Sequence, residues 1–143
     1  MNKLNPIIDE FEECYLFAYA DDGGIATIGR GTTHYINGKP VEMGDEITED
    51  KADAYYFHDI KKIYKKCKFP KWLGVNQKIA LESLVYNVGI SAYNKSKLKI
   101  AIDNKDLKEI YKQWDWIYIN KTPARGLARR RALELYYFMK DKI

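Results

Sequence analysis

Apolar side chains recur along this chain at two different spacings, and the change between them divides it into segments. Asn5-Pro6 can open a helix, Asn capping and Pro in the first helical position, and Ile7, Ile8, Phe11 and Tyr15 follow at helical spacing. That pattern predicts a first helix from about Pro6 to Tyr15. Leu16 to Ala20, an acidic turn Asp21-Asp22-Gly23-Gly24, Ile25 to Ile28, Thr32 to Ile36, an Asn37-Gly38 turn and Lys39 to Val41 then read as a small antiparallel sheet. From Thr48, a plausible N-cap, the residues Ala52, Tyr55, Tyr56, Ile60, Ile63 and Cys67 repeat at helical spacing until Phe69-Pro70 ends the run. Val75 to Val88 reads as helix and stops at Gly89, as do Ser96 to Ile102, Leu107 to about Tyr118, and Pro123 to about Met139.

The order helix, small sheet, long helix, further helices predicts an α+β fold of one domain, residues 1–143, with two lobes. The sheet lobe spans about 16–47 and the linking helix about 48–67. The helical lobe spans about 68–143 and takes in the N-terminal helix, with a ligand cleft expected between the lobes. At 143 residues and 46% apolar side chains, the chain has enough core to fold without disulfides or metals.

Composition narrows the partners. A net charge of +4 favours a polyanion: nucleic acid, a membrane surface, or a cell wall rich in phosphate and carboxylate. The run Lys61-Lys62, Lys65-Lys66, Lys68 and Lys71 is of a kind that is ordinarily the solvated face of a helix. No recognised nucleic-acid-binding signature accompanies the charge, so nucleic acid is not the expected partner. Cys14 and Cys67 belong to no Cys/His cluster, which points to reduced packing residues with no metal and no cofactor. No stretch has the length of a membrane span, and Met1 to Glu13 does not read as an export signal. A protein of this kind is expected to be monomeric, not inserted in a membrane, and held in the producing cytoplasm until released.

Candidate chemistry lies between Phe11 and Gly29. Cleaving a glycosidic bond commonly takes one protonated carboxyl group, which donates to the leaving oxygen, and one ionised group, which directs a water or attacks the sugar. At a hundred degrees per residue, Glu13 falls opposite the Ile7, Ile8, Phe11, Tyr15 stripe, with Asp9 and Glu10, whereas Glu12 lies on its flank. Partial desolvation and neighbouring acids there favour the protonated form, which suits a general acid. Asp21 begins a polar turn where a carboxylate stays ionised, and Thr27 offers a hydroxyl for a water. Taken alone, Asp-Asp-Gly-Gly is also an ordinary hairpin turn, and Thr an ordinary strand residue.

Glu12, eight residues, Asp21, five residues, Thr27 has the spacing of the signature of phage lysozymes of glycoside hydrolase family twenty-four, the family that includes the T-even phage lysozyme. Leu16-x-Ala18-Tyr19-x-Asp21, Thr27-Ile28-Gly29-x-Gly31-Thr32, and Gly38-Lys39-Pro40-Val41 through Thr48 resemble the family's core segment. Gln77-x-x-Ala80-Leu81 with Tyr86-Asn87-Val88-Gly89, and Trp114 followed by Gly126-Leu127-x-x-Arg130-Arg131-x-x-Glu134, resemble its later motifs.

The resemblance implies an endolysin that hydrolyses β-1,4 bonds between N-acetylmuramic acid and N-acetylglucosamine in peptidoglycan. In it Glu12 is the acid, while Asp21 and Thr27 direct the water. It further implies that Tyr86 and Asn87 line the cleft, that Arg125, in Thr122-Pro123-Ala124-Arg125, acts near Glu12, and that a holin-type lesion releases the enzyme. Departures are Glu13, where relatives often have Gly, and Thr32, where some have His. Rival readings are a lytic transglycosylase, which needs a single acid/base, and a non-catalytic basic module binding wall or nucleic acid.

Overall fold

In the computed structural model, which describes residues 3–116, 118–119 and 122–141, the chain opens on Asn5, whose side-chain oxygen caps α1 (Pro6–Phe11) by accepting from the backbone N–H of Ile7 at 2.9 Å and Ile8 at 3.2 Å. The helix stops at Phe11 and not near Tyr15. Tyr15 to Ala20 is recruited into a strand instead, a case of long-range pairing overriding helical spacing.

The chain divides into two compact units, residues 9–62 and residues 1–8 with 63–143. In the first, β1 (Tyr15–Ala20) pairs antiparallel with β2 (Ala26–Gly29), Tyr19 opposite Thr27 and Tyr15 opposite Gly29, with a bulge between Tyr15 and Tyr19. Across the bulge, β1 takes a second partner. Phe17 bridges Glu46, Ala18 N donates to Asp45 O at 3.0 Å, and Ile47 N donates to Leu16 O at 2.9 Å. The strands expected at Thr32 to Ile36 and Lys39 to Val41 reduce to isolated bridges, Ile28 with Thr32 and His34 with Pro40. Pro40 has no N–H with which to extend a ladder. The Asn37-Gly38 turn is present, with Gly38 at φ 85° donating to Tyr35 O at 2.9 Å.

A small core of Ile28, Val41, Ile47 and Ala52 closes this unit. Gly29 sits at φ 63°, and a Cβ there would meet Ala52 Cβ at 3.2 Å, so the end of β2 lies directly on α2 (Glu49–Cys67). Thr48 caps α2 through Lys51 N at 3.3 Å.

The other unit is helical apart from one short strand pair. It contains α3 (Val75–Val88), α4 (Ile90–Asn94), α5 (Lys97–Asp103), α6 (Leu107–Gln113), the pair β3 (Tyr118–Ile119) and β4 (Thr122–Pro123), and α7 (Arg125–Lys140). The helix expected to run on to Tyr118 ends at Gln113, and the last helix begins at Arg125, because Tyr118 and Pro123 pair as strands. Helix α4 was not signalled by the apolar pattern. The whole is α+β, with seven helices and two strand pairs among the described residues. Helices α3 and α7 pack together, with Leu81, Leu84, Val85 and Phe138 buried.

Gly74, ahead of α3, lacks a side chain to cap the helix, and the cap comes from the far end of the chain. Asp141 accepts from Gln77 N at 2.9 Å and from Asn76 Nδ2 at 3.1 Å. A Cβ on Gly74 would lie 2.5 Å from Asp141 Oδ2, so Gly74→Ala must expel the cap. Stability is expected to fall by about 1 kcal/mol in urea denaturation, with Asp141→Ala giving a similar loss and the double variant little more. An unchanged midpoint in Gly74→Ala contradicts this account of the cap.

Candidate active site

Each residue of the candidate trio is placed by a different local device. Glu12 occupies the bend directly after α1, half-buried, and neighbouring Glu13 is exposed and takes the hydroxyl of Tyr15. Exposure therefore ranks the two acids as helical phase does. The reason differs, because Glu12 lies one residue beyond the helix.

Asp21 is held by the turn it begins. Its Oδ1 accepts from Gly23 N at 2.9 Å and Ile25 N at 2.8 Å, while its backbone N–H donates to Ile25 O at 2.9 Å. The carboxylate is fixed through one oxygen, and among the described residues none bonds Oδ2. Asp22, next to it, is exposed. Thr27 is buried in β2 and donates its hydroxyl hydrogen to Ile25 O at 2.9 Å, which leaves the oxygen able to accept.

Tyr19 links these groups, although nothing in the apolar pattern singles it out. It stands opposite Thr27 in the ladder, so the two side chains share a face. Its hydroxyl is pushed up to about 12, first by burial and then by the negative charge of Glu12, Tyr15, Asp21 and Asp22. Arg30, also missed, directly follows β2 and bonds Asp53 on α2 at 2.9 Å and Asp9 on α1 at 3.0 Å.

The softer candidates lie in the other unit. Tyr86 is half-buried, and Asn87 is exposed near the end of α3. Arg125 is exposed at the start of α7, and the side chains of Thr122 and Pro123 before it lie outside the described ones. Arg131 Nη2 donates to Asn87 Oδ1 at 2.9 Å, which turns the amide N–H groups of Asn87 away from the guanidinium. Glu134, fully buried, accepts from Ser83 Oγ at 2.5 Å, Trp114 Nε1 at 3.1 Å and Arg131 Nη2 at 3.0 Å. Arg130, also buried, donates to Ser83 Oγ and to Ser83 O, both at 3.1 Å. Burial pushes the Glu134 carboxyl up, and Arg131, Ser83, Arg130 and Trp114 oppose it.

Comparison with known proteins adds an independent line. The phage lysozyme family model matches residues 9–134. The chain belongs to the phage lysozyme family. It is 33% identical over 141 residues to the endolysin of Acyrthosiphon pisum secondary endosymbiont phage 1, covering 92% of both chains. It is also 33% identical over 121 residues to the endolysin of Salmonella phage P22, covering 81% of this chain and 82% of that one. The solved endolysin from Escherichia coli O157:H7 phage FAHEc1 superposes with a TM-score of 0.79 at 30% identity, over 94% of this chain and 89% of that one.

The buried Cys67 thiol is pushed up to about 11 by burial, and Cys14 is raised for the same reason, so neither is a ready thiolate at neutral pH. No group of three His, Cys, Asp or Glu side chains among the described residues can hold a metal, and no described helix is long and apolar enough to cross a membrane.

The family segment from Gly126 to Glu134 can be tested as structure. Glu134→Gln leaves Arg130 and Arg131 buried beside a neutral amide, and removing one partner of such a pair costs about 3–5 kcal/mol. Thermal or urea unfolding is expected to show a loss of that order. A change below about 1 kcal/mol contradicts the reading of Glu134 as the counter-charge of this core.

Proposed function

We propose that this chain is an endolysin that hydrolyses the β-1,4 bond between N-acetylmuramic acid and N-acetylglucosamine, with Glu12 as general acid and Asp21 and Thr27 directing the water. Membership of the phage lysozyme family supports the broader part, a peptidoglycan-lytic glycoside hydrolase. The observation that carries the finer part is geometric: Glu12 is half-buried directly after α1, and Asp21 Oδ1 is held by two turn amides at the end of the strand pair in which Thr27 stands opposite Tyr19.

In this mechanism the Glu12 carboxyl gives its proton to the leaving glycosidic oxygen as that bond breaks. Water held by Thr27 Oγ1 and the free Oδ2 of Asp21 attacks the anomeric carbon and passes its proton to Asp21. An inverting course, as in the T-even relative, sets the two carboxyl groups about 6.5–9.5 Å apart to leave room for that water. Tyr86, Asn87 and Arg125 contact the glycan in the same reading, Asn87 through the amide that Arg131 orients. The enzyme works as a monomer and reaches the wall after a holin-type membrane lesion.

Glu12→Gln keeps the shape of the side chain and removes its transferable proton. The rate on permeabilised Gram-negative cells is expected to fall about 10²–10⁴-fold with circular dichroism unchanged. Undiminished clearing by a folded Glu12→Gln variant overturns the assignment.

A further inference from the structure

The modest net charge of +4 conceals a steep division. Residues 9–62, which carry Glu12 and Asp21, contain thirteen acidic and five basic side chains, a net charge of −8. Residues 1–8 and 63–143 contain seven acidic and nineteen basic side chains, a net charge of +12. From Ile60 to Ile102 there are ten lysines and one acid, Glu82, and that acid is turned inward to Asn5 and Tyr64.

Folding concentrates this charge, because two lysine-bearing segments far apart in sequence meet at the end of α2. Asn94 Nδ2 donates to Lys66 O at 3.2 Å, and Lys99 Nζ lies 3.5 Å from Cys67 O. Around that junction Lys65, Lys66, Lys68, Lys95 and Lys97 are all exposed. Beside this cluster Asp103 bonds Lys99 at 2.9 Å. A solvated helix face accounts for the lysines of α2 alone. It does not account for a second run brought against them from the α4–α5 turn.

We propose that this lysine cluster is a docking surface for the stem-peptide carboxylates of the peptidoglycan network, separate from the carboxyl pair that cleaves the glycan. The partner follows from charge and from the proposed substrate, so the inference rests on the reading above. An acidic catalytic unit is repelled by a carboxylate-dense wall, and attraction must come from elsewhere on the chain. A cluster of like charge supplies it, raising the local concentration of enzyme on the polymer and losing effect as salt screens it.

The test is co-sedimentation of Glu12→Gln enzyme with purified sacculi free of attached anionic polymers, which reads binding without cleavage. Binding is expected to weaken steeply between 50 and 300 mM NaCl. It should drop about tenfold at low salt in Lys65→Gln/Lys66→Gln/Lys95→Gln/Lys97→Gln, and to a similar extent on sacculi whose carboxylates are capped as neutral amides. In the active background the same four substitutions are expected to raise KM on sacculi and leave kcat unchanged, with circular dichroism confirming the fold. Binding indifferent to the four substitutions or to carboxylate capping overturns the proposal, as does tighter binding to double-stranded DNA than to sacculi at equal salt. A protein that binds sacculi in this way but does not cleave them refutes the muramidase reading and leaves the docking surface standing.

Discussion

Arg30 holds three elements in register, and the placement of the candidate site depends on it. It follows β2 directly and reaches Asp9 on α1 and Asp53 on α2. Glu12 lies three residues beyond Asp9 and Thr27 three residues before Arg30, so one guanidinium anchors the chain on both sides of the site. Its partners are partly exposed, at 54% for the Asp9 side chain and 38% for Asp53, and such pairs contribute only about 0–1 kcal/mol each. Their importance is positional. Gly29 adds to it, since its left-handed φ and close contact with Ala52 bring the strand end against the helix.

Charge serves different purposes in the two units. Around Tyr19, acids are gathered at a half-buried phenol, and one of them, Asp21, has an oxygen left unbonded by the described residues. In the helical unit the charges of Arg130, Arg131 and Glu134 are withdrawn from water and spent on one another, on Ser83 and on Trp114. Arg131 extends that network to the surface at Asn87. Lys65, Lys66, Lys68, Lys95 and Lys97, by contrast, stay in solvent. Such a distribution suits an enzyme whose substrate is an insoluble polyanion, because attraction and chemistry make opposite demands on local charge.

Features written locally were legible in the sequence. The Asn5 and Thr48 caps, the α2 run ended by Pro70 and the stop of α3 at Gly89 follow from neighbouring residues. The end of α1 was not, because the competing strand is held by residues 45–47, thirty positions away. Helix α4, five residues long, is too short to show a period. For the candidate site, Glu12, Asp21 and Thr27 are proposed from spacing and resemblance; what the structure adds is that Asp21 Oδ1 accepts two turn amides while Asp22 is exposed. Tyr19 is legible in the sequence only as part of the resembling segment, and its place opposite Thr27, like the pairing of Arg30, depends on strand register and tertiary contacts. Thr32 was noted as a departure from His-bearing relatives. It is buried, and among the described residues its hydroxyl oxygen has no hydrogen-bond partner.

The central claim is that two carboxyl groups, Glu12 and Asp21, bring water to a glycosidic bond, and the products record whether water took part. Mass spectrometry of muropeptides from purified sacculi digested by the wild-type enzyme tests this most directly. The account predicts reducing-end muramic acid products carrying one added water per bond cleaved. Anhydromuramic ends as the main product would contradict it and assign the chemistry to a single acid/base without Asp21.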